Sequence, residues 1–273
     1  MKKLKVLYLY PFGGLNPRDS SQVMGLGILN QLIKHNFSVY IIPRDPEEKK
    51  AGVILGLKIF EIKPDLTINK LLHTFLLIKP FRYHLKKICK LIKNENIDVI
   101  FERHSLWNRG YYLSNKTDIP YVTNDVIAYP DFKPYFTGLR KILSMIIPQK
   151  IFLKMEKKSF CHAKSIISHS TAYTKILQDE FYVDSKAIFQ FYAMVDKTKF
   201  DIKDKSIICS KLGINSSNFN VVYCSSFDKA HSSSLLIPII NNLKDLQIKF
   251  ILIGDGSLFS RMQKQIRELK KNV

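Results

Sequence analysis

Residues 249–269, KFILIGDGSLFSRMQKQIREL, decide the fold class of this chain, because an apolar strand pattern runs through Gly-Asp-Gly into a basic amphipathic helix pattern. A strand that halts at a glycine turn and feeds a helix gathers backbone N–H groups and the positive end of a helix dipole, an arrangement suited to a diphosphate. Gly254 and Gly256 are expected to let the backbone approach such a ligand closely. The same pattern is also ordinary α/β punctuation, so the stretches upstream carry the decision.

There the alternation repeats. KVLYLY at 5–10 reads as a buried strand, followed by a glycine-containing loop and a helix over about residues 20–34. Further strands are expected at 37–43 (FSVYIIP), 57–62, 97–102 (IDVIFE), 120–123, 163–168 (AKSIIS) and 186–191 (KAIFQF). Basic helices fall in 68–93, where Pro80 is expected to break or kink the run, with a short helix after 102 and another over about 171–181. Strands alternating with helices and lacking hairpin turns predict a parallel, doubly wound, Rossmann-like sheet. Residues 196–217 are polar and lysine-rich and read as a joint, after which the alternation restarts at 220–224, 235–243, 248–254 and 259–269. The expectation is an α/β chain of two Rossmann-like domains, 1–195 and 205–273, the second too short for a full doubly wound unit and therefore incomplete.

Composition bounds the partners. The 273 residues carry a net charge of +20, the footprint of a polyanion partner. Lys86, Lys87 and Lys90 in the 68–93 run, and Lys150, Lys154, Lys157 and Lys158 in 140–158, interleave with apolar residues as interfacial helices do. The competing reading is an apolar face in the core and a solvated lysine face. No zinc-finger or RNP pattern supports nucleic acid. Apolar runs fall far short of the roughly 20 residues of a membrane span. Residues 6–10 are too short for the apolar region of a signal peptide, so a cytoplasmic chain is expected. Cys89, Cys161, Cys209 and Cys224 lack CxxC spacing, which indicates neither a zinc site nor a disulfide framework.

Several strings together resemble the retaining glycosyltransferase family 4, of GT-B fold. Residues 98–106, DVIFERHSL, are similar to the family's D-x-I-Y-E-R-x-S-L, and Pro120-Tyr121-Val122 to its iP-x-V strand. Residues 163–170, AKSIISHS, resemble A-D-x-V-i-x-V-S, and Val195-Asp196 with Phe200 resembles the N-G-V-D-x-x-x-F hinge. Residues 221–227 look like i-x-y-V-G-x-f and residues 250–257 like l-x-i-i-G-D-G-P. The sequence departs from the family where Ala193-Met194 replaces the hinge Asn-Gly, where no acidic E-x7-E element is found, and where Ser226 and His231 occupy the positions of the Arg and Lys that grip the donor diphosphate. Lys229 could substitute, and Arg261 is the nearest basic residue after the glycine turn. Two absent charge-assisted contacts, worth roughly 1.5–3 kcal/mol each, predict weak donor binding.

The resemblance implies transfer of a hexose, with retention, from a nucleotide diphosphate sugar to a lipid-linked or cell-surface glycan acceptor. It implies no metal or other cofactor, and a peripheral position at the inner face of the plasma membrane. Gly13 and Gly14, after the first strand, read as a donor-phosphate loop or an ordinary turn. Arg18 would meet an anionic acceptor or phosphate, or is solvated. Glu102, Arg103 and His104 close the fourth strand on the acceptor side, with Glu102 and Arg103 readable also as a salt bridge and His104 as an acceptor contact or proton carrier. Asn124 and Asp125 end the next strand, where Asp125 could accept a proton from an acceptor hydroxyl or merely form an Asx turn. His169 and Ser170 are similarly placed. Lys229, Gly254, Asp255, Gly256 and Arg261 would hold the donor. The competing function is a non-catalytic half that binds an acceptor, a membrane or a separate chain completing the second domain.

Overall fold

The computed structural model describes residues 3–9, 20–43, 46–60, 79–103, 108–124, 149–191, 204–215, 217–228 and 233–271. The chain divides into two units, Met1–Ala193 and Met194–Val273.

Unit 1 is built on a parallel seven-stranded sheet: β1 (Lys5–Leu9), β2 (Ser38–Ile41), β3 (Lys58–Ile59), β4 (Val99–Arg103), β5 (Tyr121–Asn124), β6 (Ser165–Ser168) and β7 (Ile188–Gln190). Its order is β3-β2-β1-β4-β5-β6-β7, with Val6 opposite both Val39 and Val99 in register. The helices are α1 (Ser20–Lys34), α2 (Pro46–Ile54), α3 (Lys79–Asn94), α4 (Arg109–Thr117), α5 (Gln149–His162) and α6 (Thr171–Asp179). Along β1, Leu7 and Leu9 join one buried cluster with Ile88 and Ile92 of α3, Leu113 of α4, Phe160 of α5 and Leu177 of α6. Val6 and Tyr8 join a second cluster with Leu29 of α1. Burial on both faces is why β1 reads as a continuous apolar run rather than an alternation.

The helices end in a recurring device. Asn36 after α1 and Asn96 after α3 are left-handed, at φ 63 and 51, as is Gly56 after α2 at φ 71. At each end the next residue donates to the carbonyl five positions back: Phe37 to Leu32, Leu57 to Gly52 and Ile97 to Ile92. This closes each helix and turns the chain into the following strand.

Pro80 is the second residue of α3, in the first turn where no intrahelical N–H bond is required, so a helix starts where the break was expected, and residues 61–78 before it lie outside the described segments. Two sequence expectations change here. The third strand is shorter than 57–62, and residues 61–62 lie outside the described segments. Where they are described, the basic stretches bury apolar residues: Ile88 and Ile92 of α3 and Phe152 and Phe160 of α5 are in the core, while Lys86, Lys87, Lys90, Lys154 and Lys157 are exposed.

Unit 2 holds α7 (Lys205–Lys211), β8 (Phe219–Cys224), α8 (Leu236–Asn242), β9 (Ile248–Ile253) and α9 (Phe259–Lys271). β8 and β9 pair in parallel over their full length, Phe219 opposite Ile248 through Cys224 opposite Ile253. The polar joint contains a helix that the composition did not suggest. Asp204 caps α7 by accepting from Ser206 N at 2.7 Å, and Gly213 at φ 61 ends it.

Candidate functional site

The strand order reverses beside β1, so the carboxyl ends of β1 and β4 flank the switch point, the place where open α/β sheets bind ligands. Gly13, Gly14, Arg18, His104, Asp125 and Lys229 lie outside the described residues, as does His231. Arg103 and Asn124 are brought together: both are buried, and they are register partners at the ends of β4 and β5.

The Glu102 carboxylate is bonded within the unit. Its side chain is 0% exposed, and Oε2 accepts from the Gly110 N–H and the Tyr121 hydroxyl, each at 2.9 Å. Arg109 Nε stands 4.0 Å from Oε1. Gly110 has to be glycine, since a Cβ there would overlap the Tyr121 ring and come within 2.8 Å of Glu102 Oε2. Burial first, and then the Glu102 charge, pushes the Tyr121 phenol well above its ordinary range, which keeps it protonated and donating. The carboxylate therefore pins α4 to β4 and β5. Asp98, at the other end of the same string, accepts from Lys5 N at 2.8 Å and aligns β1 with β4.

Asn124 differs. It is 1% exposed and its Oδ1 has no hydrogen-bond partner. His169, directly after β6, places Nδ1 2.9 Å from the Phe191 carbonyl. A carbonyl only accepts, so Nδ1 carries the hydrogen, while Nε2 is buried and without a partner. The ends of neighbouring strands thus present an amide oxygen and an imidazole nitrogen whose hydrogen-bonding capacity is unmet. Sequence pattern placed Asn124 there; His169 was marked only by its position after a strand.

In unit 2 the glycine turn serves a different neighbour from the one expected. Gly254 and Gly256, at φ 154 and 150, pack against the backbone of the loop after β8. A Cβ at Gly254 would overlap the Ser225 carbonyl oxygen, and one at Gly256 would lie 2.6 Å from the Phe227 oxygen. Phe227 N donates to Asp255 O at 2.8 Å and Leu258 N to Phe227 O at 2.7 Å, so the two loops are laced together. Gly256 N is taken by the Asp255 carboxylate at 2.7 Å, and Phe259 N by Gly256 O at 3.0 Å. Three N–H groups around the turn, those of Gly256, Leu258 and Phe259, are thereby bonded within the unit. Arg261 is exposed in the first turn of α9, as is Asp255 in the turn before it. Among the described residues, no three His, Cys, Asp or Glu side chains gather as a metal site requires.

No family model matches the sequence, and no curated protein matches it. Solved structures do resemble it. A glycosyltransferase from Rickettsia africae ESF-5 superposes with TM-score 0.63 at 17% identity, over 99% of this chain and 66% of that one. Anabaena Alr3699/HepE, in complex with UDP, gives 0.68 at 15% identity, over 98% and 66%. The fold is GT-B-like. A UDP-GlcNAc 2-epimerase from Neisseria meningitidis bound to UDP-GlcNAc also matches, with TM-score 0.59 at 13% identity over 99% of this chain and 70% of that one. The GT-B-like architecture therefore houses more than one chemistry on nucleotide sugars, and the present chain spans about two thirds of the length of these neighbours.

Proposed function

We propose that the chain is a retaining hexosyltransferase of family 4, moving a hexose from a nucleotide diphosphate sugar to a lipid-linked or cell-surface glycan acceptor at the inner face of the membrane. One observation carries the reading: Asn124 Oδ1 and His169 Nε2 are buried and unpartnered at the carboxyl ends of the adjacent strands β5 and β6, in a sheet whose order reverses between β1 and β4. Sugar hydroxyls would satisfy both, offsetting a desolvation cost of about 1–3 kcal/mol per group. His104, next in sequence after β4, and Asp125, next after β5, are the candidates for moving the acceptor proton. Gly13, Gly14 and Arg18 would face phosphate or acceptor. On the donor side Arg261, the α9 dipole and Lys229 would hold the diphosphate, without a metal.

Donor affinity is expected to be weak, because Ser226 stands where the family has an arginine and three of the turn's N–H groups are already bonded. Calorimetric titration with UDP- and GDP-hexoses tests this. Ser226→Arg should tighten binding about tenfold and Arg261→Ala weaken it. Transfer to a glycolipid acceptor should fall at least about tenfold in Asn124→Ala and in His169→Ala. If neither donor substitution changes binding and neither acceptor-side substitution changes transfer, the transferase reading is lost. Acceptor binding by Asn124 and His169 without any transfer would favour the non-catalytic alternative.

A further inference from the structure

The two helix layers of unit 1 differ in charge. On one face of the sheet α3, α4, α5 and α6 share a buried cluster in which Ile92, Leu113, Phe160 and Leu177 meet. On the other face lie α1 and α2, through Leu29 and Ala51. Neither α3 nor α4 contains an Asp or Glu, and α5 contains Glu156 alone, which is 1% exposed. Lys86, Lys87 and Lys90 of α3 and Lys154, Lys157 and Lys158 of α5 are all exposed. Across the sheet α1 has a single basic residue, Lys34, and α2 balances Glu47 and Glu48 against Lys49 and Lys50. The positive charge of these helices is therefore gathered on one side of the sheet, which no linear pattern reveals.

The cationic helices form one continuous layer. Helix α3 packs beside α4, and α4 meets α5 where Ser114 Oγ stands 2.9 Å from His162 Nε2. Two apolar groups stand out among the lysines of α5. Ile151 is 50% exposed, and Tyr182 is 71% exposed with Lys157 Nζ 4.0 Å from its ring centre. Tyr182 is held outward at φ 59 between the buried Phe181 and Val183. A layer of helices spreads its ammonium groups over a plane, which matches a field of headgroups better than a groove, and a tyrosine with apolar body and polar tip sits at headgroup level. We infer that the outer face of α3, α4 and α5 docks on a lipid bilayer rich in anionic headgroups, with α1 and α2 turned away from it. The inference gives a surface to the membrane position in the transfer reading. Binding is read without donor or acceptor, so the two fail separately.

Sedimentation of the full chain with vesicles of equal parts phosphatidylserine and phosphatidylcholine, and with phosphatidylcholine alone, tests it. The parent should bind the first and not the second. Lys154→Glu with Lys158→Glu on α5 should lower partitioning about thirtyfold. Lys34→Glu with Lys50→Glu changes the net charge by the same amount on the opposite layer, beyond a Debye length of about 10 Å, and should lower it less than about threefold. All four side chains are exposed, so both variants should keep the parent's thermal midpoint. Equal losses in the two variants would mean that net charge and not this face does the binding, and would overturn the inference. Failure to bind phosphatidylserine vesicles, or equal binding to phosphatidylcholine, overturns it as well. Binding of a single-stranded RNA oligomer that the α5 variant abolishes, with no vesicle binding by the parent, would assign the face to nucleic acid instead.

Discussion

Tyr121 shows what one buried hydroxyl does in unit 1. It donates to Glu102 at 2.9 Å inside the core, with Ser159 Oγ a further 3.4 Å neighbour. Because the folded phenol is held above its ordinary value, the folded chain keeps a proton that the unfolded chain releases near pH ~10. Its contribution to stability is therefore complete below the unfolded value and declines as pH rises beyond it. Urea unfolding at pH 7 should find Tyr121→Phe less stable by about 1.5–3 kcal/mol, the worth of a hydroxyl bond to a carboxylate. Between pH ~9 and ~11 the parent should lose more stability than the variant. Parallel alkaline slopes would mean that the phenol is not held protonated by the fold.

Among the elements, the turn between β9 and α9 is fixed by its glycines. Phe227 is stacked between Tyr223 and Phe259, with centroids 6.2 and 6.1 Å away, and its backbone bonds to both sides of the turn. Gly254→Ala would drive a methyl into the Ser225 carbonyl and should destabilise unit 2 by about 3 kcal/mol while unit 1 keeps its own transition by circular dichroism. Melting unchanged from the parent would show that the two loops separate at little cost. Helix α3 leads to a different expectation. With Ile88 and Ile92 buried, contact with an anionic membrane is left to the exposed lysines, at about 1 kcal/mol each. Sedimentation with phosphatidylserine vesicles should fall with added salt and disappear in the Lys86→Glu, Lys87→Glu, Lys90→Glu variant. Salt-independent binding would instead require apolar insertion, which the burial of Ile88 and Ile92 opposes.

At the scale of the molecule the two units are unequal. Among the described residues, the buried hydrophobic side chains of unit 2 are Cys209, Phe227 and Met262, against a core in unit 1 that covers both faces of its sheet. In unit 2 Phe219 is 69% exposed, Val222 60% and Ile253 50%, so its sheet gains little from burial. Native-state hydrogen exchange should find the amides of β8 and β9 opening about a hundredfold more often than those of β1, β4 and β5. Equal protection would show that unit 2 draws its stability from contacts other than its own core.

Strand-helix alternation, and with it the α/β class and the two-unit plan, was legible from residues 5–10 through 249–269, because burial on both faces leaves uninterrupted apolar runs that composition alone reveals. Helix α1 was found over its whole length, since its apolar spacing and its bounds are local. What residues do at the ends of those elements was not local. Glu102 and Asn124 both end strands, and only the arrival of Gly110 and Tyr121 makes one carboxylate a strut while the neighbouring amide keeps an unmet oxygen. The glycines of the GDG turn were visible, but whether they face a ligand or the Ser225–Phe227 backbone depends on which loop lies opposite. Likewise an amphipathic period fits a membrane surface and a protein core equally well, and tertiary packing chose the core because unit 1 offered Leu7, Leu113 and Phe160 as partners for the same apolar stripe.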